Sequence, residues 1–254
     1  MFVYLFGYMI VHYGVLRRAE RALAAGDMDT VEQIINKHIP HWSRGILKVT
    51  GVSLSVEGLE NIPKDRPCVF VANHRSYYDI PLLLAGLEKP HGILAKEELE
   101  KIPLLNRWMK LLGCVFVQRD DLRASVRALN DATAIVESGR SFIIFPEGTR
   151  TKPGITPTLH RGAAQIAVRT DTPIEVIQIE SSDPWLTKGA PWYAVPPRKP
   201  IIRLSYVGRL TPQPLEDPEA APAAARSLTA KIFASLRFSS EPAGNNGKTH
   251  NGNA

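Results

Sequence analysis

The sequence predicts an α/β fold with a mostly parallel central sheet flanked by helices. Short apolar runs bounded by Gly, Pro or Asn alternate along the chain with longer stretches whose apolar residues recur every three or four positions. Such alternation is typical of parallel strands joined by helical crossovers, which cover both faces of the sheet. At 254 residues and 44% hydrophobic, the chain can bury a sizeable core.

Two helical segments are predicted to precede the sheet, in residues 1–50. The first is apolar and aromatic through Leu16, and the second covers roughly 28–50, where Pro40 is expected to break or kink the helix. The first segment is short for a membrane span, which needs about 20 residues. It also lacks the basic start and the cleavage site of a signal peptide.

Three arginines, Arg17, Arg18 and Arg21, directly follow the apolar segment. An aromatic, apolar helix followed by basic residues favours a helical pair that associates with a membrane surface, because the arginines would meet anionic headgroups. The alternative is a helix docked on the protein's own core. The expected location is peripheral or monotopic, on the cytoplasmic face of a membrane.

The remaining elements follow in order from residue 51. The predicted strands are VSLSVEGLENIP, PCVFVAN, GILAK, CVFVQR, SFIIFPEG, PIEVIQIE and IIRLSYVGRL. The predicted helices are IPLLLAGL, EELEKIPLLNRWMKLLG, DDLRASVRALNDATAIVESG, RGAAQIAVRT and DPEAAPAAARSLTAKIFASLRF. They define an α/β domain over residues 51–238. The polar, Gly- and Asn-rich residues 239–254 are expected to be a disordered tail.

Charge and cysteine usage limit the class of partner and the compartment. The net charge of +6 favours an anionic partner, but no long Lys/Arg block of the kind found in nucleic-acid-binding tails occurs. Cys68 and Cys114 each lie inside an apolar run, which indicates core thiols and a reducing compartment. No cysteine spacing typical of a metal site is present.

His74 and Asp79 stand five positions apart, directly after the strand PCVFVAN. On one regular helix their side chains would point about 140° apart and would not meet. If His74 lies in the loop after the strand and Asp79 in the first turns of the next helix, the carboxylate can hold one ring nitrogen. The other nitrogen can then take a proton from a hydroxyl or from water. The alternative is an ordinary helix start with a surface histidine.

A second apolar strand, within FIIFPEGTR, ends in Glu147, Gly148, Thr149 and Arg150. Gly lets the backbone approach a ligand closely, and Arg offers a planar fork that suits phosphate. The Glu can hold that Arg or bind a hydroxyl. Because parallel strands expose their carboxyl ends on one edge of the sheet, this loop and the His74 loop predict a shared site.

Two further strands end in basic residues, Lys96 after GILA and Arg119 after CVFVQ. Their placement makes them candidates for anion contacts, although surface charge is the usual role of a single Lys or Arg. The chain has no G-x-S-x-G elbow and no Walker A loop. His91 and His160 have no accompanying pattern of metal ligands, so no metal site is expected.

The stretches NHRSYYD and FPEGTR, about 70 residues apart, resemble the paired motifs of the glycerolipid acyltransferase family typified by 1-acyl-sn-glycerol-3-phosphate acyltransferase. LAKEELEKIP, GCVFVQR and LHRGAAQIAVRTDTPI extend the resemblance over roughly residues 50–180. It implies an O-acyltransferase in which His74 is the general base, Asp79 orients it, and the acceptor hydroxyl attacks an acyl thioester with no acyl-enzyme. It also implies an acceptor phosphate bound by Glu147, Gly148, Thr149, Arg150 and Arg119, with Lys96 a weaker case.

The resemblance further implies the substrates and partners. The acceptor would be a lysophospholipid, most simply 1-acyl-sn-glycerol-3-phosphate giving phosphatidic acid. The donor would be acyl-CoA or an acyl-carrier protein, with no cofactor beyond it, and the partners would be membrane lipids and not nucleic acid. One alternative is an acyltransferase of this family with a different lipid or specialised-metabolite acceptor. Another is an esterase or thioesterase that uses the His-Asp pair on water.

The sequence departs from the family pattern in three places. Where the family's fourth block usually reads Val-Pro-Ile-Val-Pro-Val, this chain reads TPIEVI, with Glu175 in a strand expected to be buried. Asn106 replaces a common Gly, and Gln118 replaces a frequent Asp. We expect these departures to bear on the identity of the acceptor.

Overall fold

The computed structural model describes residues 2–118, 120–152, 155–181, 199–215 and 217–238. Arg119 and the tail 239–254 lie outside these ranges, as does most of the long connector that precedes the last predicted strand. The predictions for these segments therefore stay predictions.

Residues 2–50 form three helices: α1 (Phe2–Val11), α2 (Tyr13–Ala24) and α3 (Met28–Thr50). The apolar and the basic parts of the first predicted segment are thus separate helices that meet at His12. Of the break or kink predicted at Pro40, the break does not occur: helix α3 continues through the proline, whose side chain is buried in the core, where packing offsets the missing hydrogen bond. No helix in the described part of the chain is long and apolar enough to cross a membrane.

One sheet of seven strands follows in the described residues, with the spatial order β1-β7-β6-β2-β5-β3-β4. The strands are β1 (Ser53–Glu57), β2 (Val69–Ala72), β3 (Gly92–Lys96), β4 (Val115–Val117), β5 (Phe142–Ile144), β6 (Ile174–Ser181) and β7 (Ile201–Leu210). Every neighbouring pair is parallel except β6 and β7, which are antiparallel. The prediction of a mostly parallel sheet flanked by helices is confirmed.

The helices after β2 are α4 (Asp79–Gly86), α5 (Leu105–Leu112), α6 (Leu122–Glu137), α7 (Gly162–Thr170) and α8 (Ala221–Ser235). Helix α5 is shorter than predicted, because a 3₁₀ turn at Glu97–Lys101 precedes it and Pro103 disfavours helical backbone in the residue before it. The side chain of Asn106 donates to the carbonyl of Glu100 across this bend, at 2.9 Å. Asn106, one of the departures from the family pattern, thus stabilises a local turn.

Apolar side chains pack on both faces of the sheet. One layer lies between the sheet and α1–α5, and the other lies between the sheet and α6–α8. Buried residues of the first three helices, such as Met9, Leu16 and Val31, belong to the same cluster as residues of β2 and α4. The N-terminal helices therefore share a core with the sheet, as the docked alternative expects, while α1 also leaves apolar side chains exposed.

Candidate active site

The His74 loop and the Glu147 loop meet at the carboxyl edge of the sheet. They follow β2 and β5, which are neighbouring parallel strands with Val71 level with Ile144. Ligand sites of open α/β sheets lie at this edge. The two loops are thus neighbours in the structure, as the sequence predicts.

The backbone of His74 joins the two loops. Its N–H donates to Glu147 Oε1 at 2.9 Å, and its carbonyl accepts from the N–H of Thr151 at 2.8 Å. On the other side, the buried Asn73 side chain exchanges two hydrogen bonds with the backbone of Ile179 in β6, at 2.9 and 2.7 Å. Because both flanking strands hold it, the start of this loop has little freedom to move.

The side chain of Asp79 holds the His74 ring. Asp79 Oδ2 accepts from His74 Nδ1 at 2.8 Å and from the backbone N–H groups of Arg75 and Ser76 at 2.6 and 2.8 Å. Asp79 is the first residue of α4 and is only 1% exposed. The five-residue spacing is therefore that of a loop that wraps around one carboxylate, with the histidine outside the helix.

The second ring nitrogen of His74, Nε2, is not used in the contact with Asp79. Since the Asp79 carboxylate can only accept, Nδ1 carries the ring proton and Nε2 presents a lone pair. Nε2 has no hydrogen-bond partner within the described ranges, and His74 lines a cavity. The ring also stacks on Phe145, with centroids 4.2 Å apart. A ring held in this way can accept a proton from a bound hydroxyl.

Arg150 lies on an aromatic support in the same cavity as His74. Its guanidinium carbon is 3.7 Å from the centroid of the Tyr77 ring, a cation–π distance, and both residues line the cavity. No carboxylate pairs with Arg150 in the part of the chain that the structure describes. Because stacking uses the face of the guanidinium, its N–H groups remain for an anion.

Three other residues predicted to contact an anion also line the cavity. Gly148 and Thr149 line the cavity, and Gly148 has a φ of +65°, which favours glycine. Lys96 lies at the rim, where Nζ pairs with Glu98 at 3.1 Å and more than half of the side chain is exposed. Arg119 is the one predicted site residue outside the described ranges.

Glu147, another predicted acceptor contact, is buried between the two loops. It is 4% exposed and does not line the cavity. Oε1 accepts from His74 N–H and from the Thr151 hydroxyl at 3.5 Å, while Oε2 has no partner among the described atoms. Burial, with a smaller contribution from the charge of Asp79, raises the pKa of Glu147 to about 7. Glu147 thus links the two loops, and its predicted contact with the acceptor stays a prediction.

The cavity has a volume of about 950 Å³, at the upper end of the range for ligand pockets. It extends from His74 and Arg150 to α1, α3 and α5. Its apolar wall includes Met9, Ile39, Trp42, Leu105, Trp108 and Met109. Such a shape suits a ligand with a long apolar chain and a charged end.

Sequence reasoning did not single out several residues that build the site. Asn73 and Tyr77 both lie inside the stretch NHRSYYD, but no local pattern distinguishes them from their neighbours. Thr151 follows the second stretch directly. Their roles depend on atoms of other strands and loops, so one segment alone carries no signal for them.

Glu175 does not line the cavity. Its hydrogen-bond partners lie far along the chain from His74. Its fully buried carboxylate accepts from Arg209 Nε at 2.7 Å and from the Tyr206 hydroxyl at 2.8 Å, both on the neighbouring strand β7. A buried charge needs such pairing to be tolerated. In the described structure, this departure from the family pattern is compensated within the sheet.

The fold and the site together define an α/β protein in which a histidine held by a carboxylate and an arginine stacked on an aromatic ring line one cavity. The chain belongs to the acyltransferase family, because the family model described as Acyltransferase matches residues 53–180. Its matches include 1-acyl-sn-glycerol-3-phosphate acyltransferase BAT2, chloroplastic, of Brassica napus, with 38% identity over 125 residues, 49% of this chain and 36% of that protein. The 1-acyl-sn-glycerol-3-phosphate acyltransferase of Borreliella burgdorferi is 32% identical over 142 residues, 56% of this chain and 57% of that protein.

A solved structure shares the fold. The crystal structure of the 1-acyl-sn-glycerophosphate (LPA) acyltransferase PlsC from Thermotoga maritima superposes with a TM-score of 0.67 at 29% identity, over 91% of this chain and 93% of that one. By contrast, the matches to the two curated relatives span only about a third and just over half of those proteins' lengths.

The raised pKa of Glu147 predicts a pH dependence of stability. Between its usual value of 4.5 and about 7, the folded protein keeps a proton on Glu147 that the unfolded chain has lost. Stability relative to the variant Glu147→Gln should therefore fall as pH rises through this window, by on the order of 3 kcal/mol. Urea unfolding of both proteins at pH 4.5, 6, 7 and 8 measures the difference.

Glu137→Gln is the matched control, since Glu137 is exposed and lies near the end of α6. It should change stability little, because an exposed side chain has few contacts to lose. Parallel pH profiles for wild type and Glu147→Gln would contradict the prediction.

Proposed function

We propose that the protein transfers a fatty acyl group from an acyl thioester to the free hydroxyl of a lysophospholipid. The first candidate for the acceptor is 1-acyl-sn-glycerol-3-phosphate, which would give phosphatidic acid. The observation that carries the proposal is the His74 ring, which Asp79 holds by Nδ1 and which lines the same cavity as Arg150. The names of the curated relatives and of the solved structure agree with this activity.

The proposed reaction needs one base and one anion site. Nε2 of His74 takes the proton of the acceptor hydroxyl while the hydroxyl oxygen attacks the thioester carbonyl. A C–O bond forms, the C–S bond breaks, and the departing thiolate receives the proton from His74. Arg150 would hold the acceptor phosphate so that the hydroxyl lies at the base, with the acyl chain in the apolar part of the cavity. Because a thioester is already activated, we expect no metal or other cofactor.

The experiment that tests the proposal is a transfer assay with purified protein and a panel of lyso-acceptors. Acyl-CoA and acyl-carrier protein are offered separately as donors, with chelator present, and products are identified by mass spectrometry. Phosphatidic acid as the main product supports the proposal. Preference for another lipid would favour a different acceptor within the family, and release of free fatty acid without an acceptor would indicate a hydrolase.

His74→Ala should lower the rate of transfer roughly 100- to 10,000-fold, because it removes the general base. Its thermal unfolding should stay close to that of wild type, since the backbone contacts of residue 74 are kept. His41→Ala is the control, because His41 is exposed on α3 and lies outside the cavity lining. Turnover of His74→Ala near the wild-type rate would refute the assignment of the base.

The stacking of Arg150 on Tyr77 predicts a selective effect on acceptor binding. Tyr77→Leu should raise the KM for lysophosphatidic acid about threefold to tenfold, because the guanidinium loses its support, while kcat changes little. Arg150→Ala should raise it further. Tyr77→Phe keeps the ring and should resemble wild type.

The double variant of Tyr77→Leu and Arg150→Ala distinguishes stacking from a general disturbance. If Tyr77 acts through Arg150, the double variant should have the KM of Arg150→Ala alone. Independent, additive increases in KM would contradict the coupling.

We also propose that α1 and α2 place the enzyme on a membrane surface, where its lipid substrates are. On α1, Val3, Ile10 and Val11 are 88, 64 and 79% exposed. Arg17 and Arg18 on α2 are also exposed. An apolar helix face followed by cations suits a leaflet with anionic lipids, and the cytoplasmic face is the expected one.

Replacing Val3, Ile10 and Val11 together by Ser should weaken binding to anionic vesicles about tenfold or more, because apolar area that enters the membrane is lost. Vesicle co-sedimentation measures this partition. Val56→Ser with Val207→Ser is the matched control, since these half-exposed residues lie on β1 and β7. Equal binding by both variants would contradict a role of α1.

A further inference from the structure

We propose that His160 is a second cation of the headgroup site and that its imidazolium form binds the phosphate of the acceptor together with Arg150. The inference rests on the proposed function, because it names a further contact for the same acceptor. It also assigns a role to His160, which has no accompanying pattern of metal ligands in the sequence.

The His160 ring packs directly on the loop that carries Arg150. A Cβ atom at Gly148 would lie 2.8 Å from Cδ2 and 3.0 Å from Nε2 of this ring, so the imidazole approaches the backbone closely. The N–H of His160 also donates to the carbonyl of Pro146 at 2.8 Å. Glycine is therefore favoured at position 148 for two reasons, the positive φ and the close approach of the His160 ring. This contact holds the ring next to the residues that precede Arg150.

The ring is accessible from the cavity. His160 is an exposed residue and lines the same cavity as His74 and Arg150. A phosphate that binds Arg150 thus enters a space that the imidazole borders. The site would hold the anion between a guanidinium on an aromatic ring and an imidazole on a glycine.

The surrounding charges favour an anion next to His160. The charged or titratable side chains that line the cavity with it include His74, Lys96, Glu98, Arg150, Arg161 and Arg169. In the described residues no carboxylate lies within ion-pair distance of the His160 ring. The one carboxyl of the loop on which the ring packs, that of Glu147, is buried with its pKa raised to about 7.

Binding and protonation should therefore be coupled. A positive imidazole there has cations for neighbours and no counter-charge of its own, and an arriving phosphate supplies that counter-charge. Imidazoles change charge between about pH 5 and 8, so the contact should strengthen as the pH falls across this range and weaken as it rises. At the acidic end His160 adds affinity for the phosphate, and at the alkaline end the neutral ring adds little.

The test compares wild type with His160→Gln, which is always neutral, and His160→Lys, which stays charged. The quantity measured is the inhibition constant of a non-reactive acceptor, 1-acyl-2-deoxyglycerol 3-phosphate, from pH 6 to 8. The same series is run with its dephosphorylated form. The ionisation of the phosphate itself is common to all three proteins, so each result is taken as a ratio to His160→Gln.

Wild type should bind the phosphorylated analogue about tenfold more tightly than His160→Gln at pH 6 and about equally at pH 8. His160→Lys should keep its advantage across the range. For the dephosphorylated analogue all ratios should stay close to one. Thermal unfolding of the variants confirms that each is folded.

A constant ratio between wild type and His160→Gln would overturn the inference. An equal loss for the dephosphorylated analogue would also overturn it, because the ring would then only support the loop. If wild type transfers no acyl group to lysophosphatidic acid, the proposed function fails, and the role of His160 fails with it.

Discussion

The site depends on the way His74 is held at three points. Its N–H is bound by Glu147, its carbonyl by Thr151, and its ring by Asp79. The first two contacts fix the backbone relative to the neighbouring strand's loop, and the third fixes the direction of the ring. A base that is fixed before the substrate arrives does not have to be ordered during the reaction, which is where positioned groups gain their effect.

The two buried carboxylates that hold His74 differ in how well they are satisfied. Asp79 accepts three short hydrogen bonds at one oxygen and a longer one from the Ser76 hydroxyl at the other. Glu147 has one oxygen without a partner. A buried, under-satisfied carboxyl costs stability, and such groups concentrate at functional sites. The link between the two loops is therefore maintained at a cost to the fold.

The cavity depends on a second constraint, the packing of the N-terminal helices against the rest of the chain. Gly45 of α3 lets the Tyr4 side chain of α1 lie directly on its backbone, where any Cβ would clash. Arg107 of α5 binds Glu20 of α2 through two hydrogen bonds, at 2.6 and 2.5 Å. Because α1, α3 and α5 contribute to the apolar wall, these contacts help to shape the space for a long chain in the cavity that His74 lines. The surface proposed to face lipid and the proposed active site thus share helix α1.

The sequence by itself determined the seven strands, the mostly parallel sheet and the two loops that carry His74 and Arg150. These follow from local apolar patterns, turn residues and the rule that parallel strands end on one edge. Only the tertiary structure decided that Glu147 faces inward, that Arg150 stacks on Tyr77, and that Glu175 is paired across the sheet with Arg209. It also decided that α3 continues through Pro40. The physical reason is that each of these outcomes depends on burial or on atoms brought together by packing, whereas a sequence pattern reports only on its own segment.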